Sequence, residues 1–108
     1  MTDFILIQTT TGTRHDAEQI AASLVGQRLA ACVQIGGPIE STYHWEGVQQ
    51  TSAEWFVSIK TRLALFTAVE QAILALHPYE QPEIIALPIV AINAGYAQWV
   101  NGSVREAG

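Results

Sequence analysis

One long extended run that reverses direction once constrains the fold more than any other feature of the sequence. Residues 30–45 read as a strand in which Gly36-Gly37-Pro38 interrupts the alternation of apolar and polar side chains. Pro38 has no backbone donor and the glycines permit unusual backbone angles, so the strand should bend there. Glu46-Gly47 is a turn sequence, and residues 49–62 alternate again. The run therefore predicts a long, bent β-hairpin.

Two amphipathic helices and two further strands surround this hairpin in the sequence. Residues 4–10 form an apolar strand, and Thr13 to Asp16 resembles a capping box at the start of the first helix. The second helix must end before Pro78. Residues 84–90 are apolar on both faces, which argues against an edge strand. The helical stripes are Ala17, Ile20, Ala21, Leu24 and Val25, and Leu65, Phe66, Val69, Ala72, Ile73 and Leu76.

The order of these elements predicts the fold class. It is strand, helix, strand, strand, helix, strand, followed by a short C-terminal helix that Asn93 caps. With right-handed crossovers this is an α+β, ferredoxin-like βαββαβ sandwich, with both helices on one face of an antiparallel sheet. We expect one domain over residues 1–108.

Composition limits the classes of partner. The chain is 49% hydrophobic and only 14% charged, and the outer hairpin around Tyr43 and Trp45 extends beyond what one small domain covers. These features predict an oligomer. A net charge of −5 is the wrong sign for binding nucleic acid.

The same composition predicts a cytoplasmic protein without a membrane partner. Cys32 is the single cysteine and cannot form an intramolecular disulfide. The chain starts without a basic leader or a long apolar span. An enzyme is not expected either, because Cys32 lies in an apolar strand and no phosphate loop, paired-histidine helix or CxxC motif is present. No obligatory cofactor is predicted.

Polar chemistry is concentrated in residues 77–83, which we call the corner segment. It reads His-Pro-Tyr-Glu-Gln-Pro-Glu, and its two prolines restrict the backbone. His77 and Glu80 lie close enough in sequence to bind a divalent ion such as copper or zinc. His77 can equally cap the last carbonyls of the preceding helix. Both interpretations stay open.

Further residues are candidates for a ligand cleft that includes Tyr79 and Glu80. Tyr43 and Trp45 share a strand face and form either an aromatic platform or a subunit contact. Lys60 and Arg62 end the hairpin and either receive an anionic ligand or pair with glutamates of the corner segment.

Several segments together resemble the CutA divalent-cation-tolerance family. The matching pieces are Ala30-Ala31-Cys32-Val33, residues 39–47 (Ile-Glu-Ser-Thr-Tyr-His-Trp-Glu-Gly), Lys60-Thr61-Arg62, residues 77–88, and Tyr96 with Trp99-Val100. The resemblance spans roughly Phe4 to Val100. It implies a ferredoxin-like protomer in a tight, PII-like homotrimer with a role in tolerance of copper and other divalent cations.

The resemblance also implies a copper site, which this chain matches only in part. Members that bind copper use a cysteine near the end of the first strand and histidines just before the corner proline. Here those positions hold Gln8 and Leu76, so His77 is the only residue that matches the copper ligands implied by the resemblance. We therefore expect at most a weak copper site at His77. The alternative is a PII-like regulatory trimer that binds a small anionic metabolite through Lys60 and Arg62 in clefts between subunits.

Overall fold

A computed structural model describes residues 3–107 and contains one four-stranded antiparallel sheet with strand order β2-β3-β1-β4. This order confirms the predicted ferredoxin-like fold. The elements are β1 (Phe4–Thr11), α1 (Arg14–Gly26), β2 (Cys32–Trp45), β3 (Val48–Arg62), a 3-10 turn (Leu63–Leu65), α2 (Phe66–Leu76), β4 (Ile85–Pro88) and α3 (Ala94–Ser103).

The core lies between α1 and α2 and one face of the sheet. Ile20 and Leu24 of α1, and Val69 and Ile73 of α2, are fully buried, as the helical spacing predicts. Thr13 caps α1, because its hydroxyl accepts a hydrogen bond from the backbone N–H of Asp16 at 3.1 Å. The sheet contributes Ile5, Ile7, Val57 and Ile59 to the same core.

The predicted bent hairpin is present. β2 and β3 pair from Cys32 to Trp45, and the register shifts between Gly36 and Ile39, where the sequence predicts the bend. Glu46 and Gly47 both have positive φ angles, of 52° and 80°, as a two-residue type I′ turn requires. Tyr43 and Trp45 therefore lie at the far end of the hairpin.

The position of β4 corrects one prediction. Residues 84–90 were expected to avoid a sheet edge, yet β4 covers only Ile85–Pro88 and is an edge strand beside β1. Ile85 and Leu87 are 46% and 43% exposed. The apolar character of this strand is therefore not explained by burial within one chain, and an uncovered apolar edge favours pairing or packing with another chain.

The C-terminal helix α3 begins after Asn93, as predicted, but the Asn93 side chain makes no capping hydrogen bond. Val100 is buried, and Tyr96 contacts Cys32 of β2. Burial, followed by the charge and hydrogen-bond effects of Cys32, raises the pKa of Tyr96. Within residues 3–107 no helix is both long and apolar enough to cross a membrane.

Candidate functional site

The end of α2 gives His77 a structural role. The helix stops at Leu76, and the His77 ring is buried with Nε2 2.7 Å from the backbone carbonyl of Thr10. A carbonyl only accepts, so Nε2 carries the proton. Nδ1 then accepts from the backbone N–H of Tyr79 at 3.1 Å. Nε2 therefore connects the corner segment to β1, and Nδ1 makes a hydrogen bond within the corner segment.

This geometry argues against the predicted metal role of His77. A metal ligand must offer a nitrogen lone pair, and the one lone pair of the neutral ring is already hydrogen-bonded to Tyr79. His77 does cap α2, but through its backbone N–H, which donates to the carbonyl of Ile73 at 2.8 Å, while its side-chain Nε2 bonds a carbonyl of β1. His77 joins two elements that are 67 residues apart in sequence.

Tyr79 stands beside His77 and joins the corner segment to the hairpin. The two rings lie 4.7 Å apart between centroids. The Tyr79 hydroxyl donates to Oε2 of Glu54 at 2.8 Å, and the Thr10 hydroxyl donates to the same oxygen at 3.3 Å. Burial, followed by the hydrogen bond and the charge of Glu54, raises the pKa of Tyr79 above its ordinary value.

Because of the Tyr79 hydrogen bond, the free energy of unfolding should decrease at alkaline pH. The raised pKa means that the folded state retains the phenol proton at pH values where the unfolded chain loses it. This contribution is complete below about pH 10, the ordinary pKa of tyrosine, and decreases as the pH rises further. We expect Tyr79→Phe to lose about 1 kcal/mol of stability at neutral pH.

As the pH rises above about 10, the stability of Tyr79→Phe should also decrease less steeply than that of the wild type. Chemical denaturation at several pH values measures both effects, with Tyr43→Phe as the matched control at a more exposed hydrogen bond. Equal slopes of stability against alkaline pH in all three proteins would contradict the prediction.

A cleft of about 560 Å³ separates the outer hairpin from the corner segment. We call it the cleft. Glu54 and Thr10 lie on its sheet side, and the other lining residues come from the hairpin and the corner segment. The full lining is Thr10, Ser41, Thr42, Tyr43, His44, Trp45, Gln50, Glu54, Tyr79, Glu80, Gln81 and Glu83. Four of the predicted ligand-cleft residues, Tyr43, Trp45, Tyr79 and Glu80, are thus brought together.

The two predicted basic residues lie elsewhere. The Lys60 ammonium donates to the side-chain oxygen of Gln34 at 2.7 Å, and Arg62 forms an ion pair with Asp3. Neither residue lines the cleft. The predicted pairing of these cations with Glu80 or Glu83 is therefore wrong, because β3 carries them toward the opposite end of the hairpin.

The side chains that could bind a metal ion are dispersed over the described structure. In the described part of the chain no group of three or more His, Cys, Asp and Glu side chains is close enough to hold a metal ion. Gln8, at the position where the family resemblance implies a cysteine, donates to Glu83 at 2.9 Å. Leu76 is 41% exposed and has no ligand atom. Neither of these two positions therefore adds a metal ligand beside His77.

Glu54 is the important cleft residue that sequence reasoning missed. The alternation of residues along β3 predicts that Glu54 lies on the opposite face of the strand from Trp55, together with Phe56, Ser58 and Lys60. Its burial, at 8% exposure, comes from the corner segment folding over it. A charged residue next to an aromatic pair in a strand was the one available signal, and it does not distinguish a buried carboxylate from a solvent-facing one.

Comparisons with known proteins agree with this fold. The sequence profile described as CutA1 divalent ion tolerance protein matches residues 5–103. "Protein CutA 1, chloroplastic" from Oryza sativa subsp. japonica is 42% identical over 103 residues, which is 95% of this chain. This chain spans only 58% of that relative's own length.

Two further comparisons cover the relatives almost completely. "Divalent-cation tolerance protein CutA" from Thermus thermophilus is 39% identical over 100 residues, which is 93% of this chain and 95% of the relative. The crystal structure of CutA1 from Oryza sativa superposes with a TM-score of 0.95 at 40% identity, covering 98% of this chain and 97% of that one. None of these three proteins carries an enzyme's name. The chain belongs to the CutA1 divalent ion tolerance protein family.

Proposed function

We propose that this protein is a non-catalytic, homotrimeric component of the response to divalent cations, copper among them, and that the cleft receives its cationic ligand. The charge of the cleft carries this proposal. Its ionisable lining groups are Glu54, Glu80, Glu83, His44 and two tyrosines, and it contains no Lys or Arg. An acidic, partly enclosed surface attracts cations and repels anions.

The anionic-metabolite alternative has weaker support. It requires cations in the cleft, whereas Lys60 is hydrogen-bonded to Gln34 and Arg62 is paired with Asp3. The description of the family and the name of the Thermus thermophilus relative refer to divalent-ion or divalent-cation tolerance, in agreement with a cationic ligand.

A divalent ion at the exposed side of the cleft would take one or two ligands from His44, Glu80 and Glu83, and the others from a neighbouring subunit. These groups suit copper or zinc chemically, but they are not clustered in one chain. A neighbouring subunit is the natural source of further ligands. Binding should therefore be weak and should depend on assembly.

Exposed apolar surface supports the homotrimer. It occurs at the hairpin end, where Tyr43, Trp45 and Val48 are 39%, 41% and 59% exposed, and along the edge strand β4. Edge strands and exposed aromatic side chains are typical of surfaces that pair with another copy. A cytoplasmic location is part of the proposal and is supported by the absence of a cysteine pair.

Calorimetric titration with copper and with zinc tests the cation site. We expect weak, saturable binding by the wild-type protein and at least tenfold weaker binding by Glu80→Gln/Glu83→Gln. Glu70→Gln, on α2 and outside the cleft, removes one carboxylate charge as a matched control. A protein that binds neither metal, or a double variant that binds both as well as the wild type does, would refute the proposed site.

A further inference from the structure

The buried carboxylate of Glu54 has one oxygen that nothing in the described chain satisfies. Tyr79 and Thr10 both donate to Oε2. Oε1 has no hydrogen-bond donor, and Glu54 forms no ion pair within residues 3–107. The residue is only 8% exposed, yet it lines the cleft. Oε1 is not enclosed by the chain, so it is open to the cleft, where the donor of a ligand can reach it.

The missing partner is better matched by an N–H cation than by a metal ion. Oε2 already accepts from two hydroxyl donors, and within residues 3–107 Glu54 belongs to no group of three His, Cys, Asp or Glu side chains that could hold a metal ion. An ammonium group needs only acceptors at hydrogen-bond distance, and its bond to a carboxylate is among the stronger polar contacts. It would satisfy Oε1 without disturbing Tyr79 or Thr10.

The rest of the cleft favours a longer ligand with more than one positive charge. Glu80 and Glu83 are exposed carboxylates at the corner side of the cleft, separate from buried Glu54. Tyr43 and Tyr79 supply ring surface between the hairpin and the corner segment. Aromatic rings attract ammonium groups and cover methylene chains. Carboxylates at both the buried and the exposed side suit a chain with amines at both ends.

We propose that the cleft binds a linear aliphatic polyamine, with one terminal ammonium donating to Glu54 Oε1 and the other end held near Glu80 and Glu83. The inference rests on the proposed function in placing a cationic ligand in this cleft, and it adds an organic ligand class. The volume of about 560 Å³ is within the range of small-molecule sites.

Calorimetric titration of the assembled protein with spermidine tests this assignment. We expect saturable binding by the wild type and by Glu70→Gln, and at least tenfold weaker binding by Glu54→Gln. A glutamine at position 54 can still accept from Tyr79 and Thr10 through its carbonyl oxygen, while its amide offers donors where the ligand needs an acceptor. Thermal unfolding of Glu54→Gln checks that the fold is retained.

Two further measurements keep the test decisive if Glu54→Gln fails to fold. Glu80→Gln/Glu83→Gln changes only exposed groups, and we expect severalfold weaker spermidine binding that salt reduces further. 1,4-Butanediol serves as an uncharged control ligand, and it should not compete with spermidine at equal concentration.

The outcomes separate this inference from the proposed function. Copper binding without spermidine binding overturns the polyamine assignment and leaves the divalent-cation site standing. Spermidine binding that is equal in all variants means attraction by overall negative charge and also overturns it. If neither copper nor spermidine binds, both proposals fail.

Discussion

His77→Ala is expected to lower the free energy of unfolding by about 2–4 kcal/mol while leaving copper affinity unchanged. The substitution removes a buried ring and leaves the Thr10 carbonyl and the Tyr79 N–H without their partner. It also removes the ring beside Tyr79, so the corner segment should detach more readily from β1. Denaturant unfolding at a fixed protein concentration measures the loss, since the proposed assembly would make stability depend on concentration.

The matched control for this substitution is His15→Ala. His15 is exposed on α1, and we expect its removal to change stability by no more than about 0.5 kcal/mol. Copper titration of both variants below their unfolding temperatures separates structure from metal binding. A His77→Ala protein as stable as the wild type that has lost copper binding would restore the metal-ligand interpretation and contradict the contacts described here.

The fold could be predicted from the sequence because its local signals agree with its long-range contacts. Helical spacing placed Ile20, Leu24, Val69 and Ile73 in the core, and Gly36-Gly37-Pro38 marked the shift of register in β2. Each signal depends on side-chain period or backbone restriction within a few residues. Such signals can therefore be recognised in the sequence without knowledge of the tertiary structure.

The site could be predicted only in part, because its contacts join distant parts of the chain. The residue types of Tyr43, Trp45, Tyr79 and Glu80 suggest binding, so the sequence was sufficient to select them. It did not indicate that Glu54 accepts a hydrogen bond from Tyr79, which lies 25 residues away in the chain. The burial of β4 was misjudged for a related reason. Apolar residues on both faces predict burial, yet they do not say whether the covering surface belongs to the same chain.

Trp45→Ala is expected to weaken assembly while the chain keeps its secondary structure. Trp45 pairs with Val48 beside the Glu46-Gly47 turn and is 41% exposed, so a large part of its side chain remains available for contact with another chain. A tryptophan that is exposed in one chain and buried between chains is typical of residues whose truncation costs about 2 kcal/mol or more of association energy. That loss corresponds to roughly 30-fold weaker association.

Trp99→Ala provides a control of the same residue type. Trp99 is 49% exposed on α3, where its ring contacts Tyr96 at 5.4 Å between centroids, and it lies far from the hairpin end in sequence. Sedimentation velocity over a dilution series should show Trp45→Ala dissociating at higher concentrations than either the wild type or Trp99→Ala. Circular dichroism should show native strand and helix content in all three. If Trp45→Ala stays assembled at the lowest concentrations, the hairpin end is not the surface that joins the subunits, and the exposed edge of β4 becomes the better place to introduce a disrupting charge.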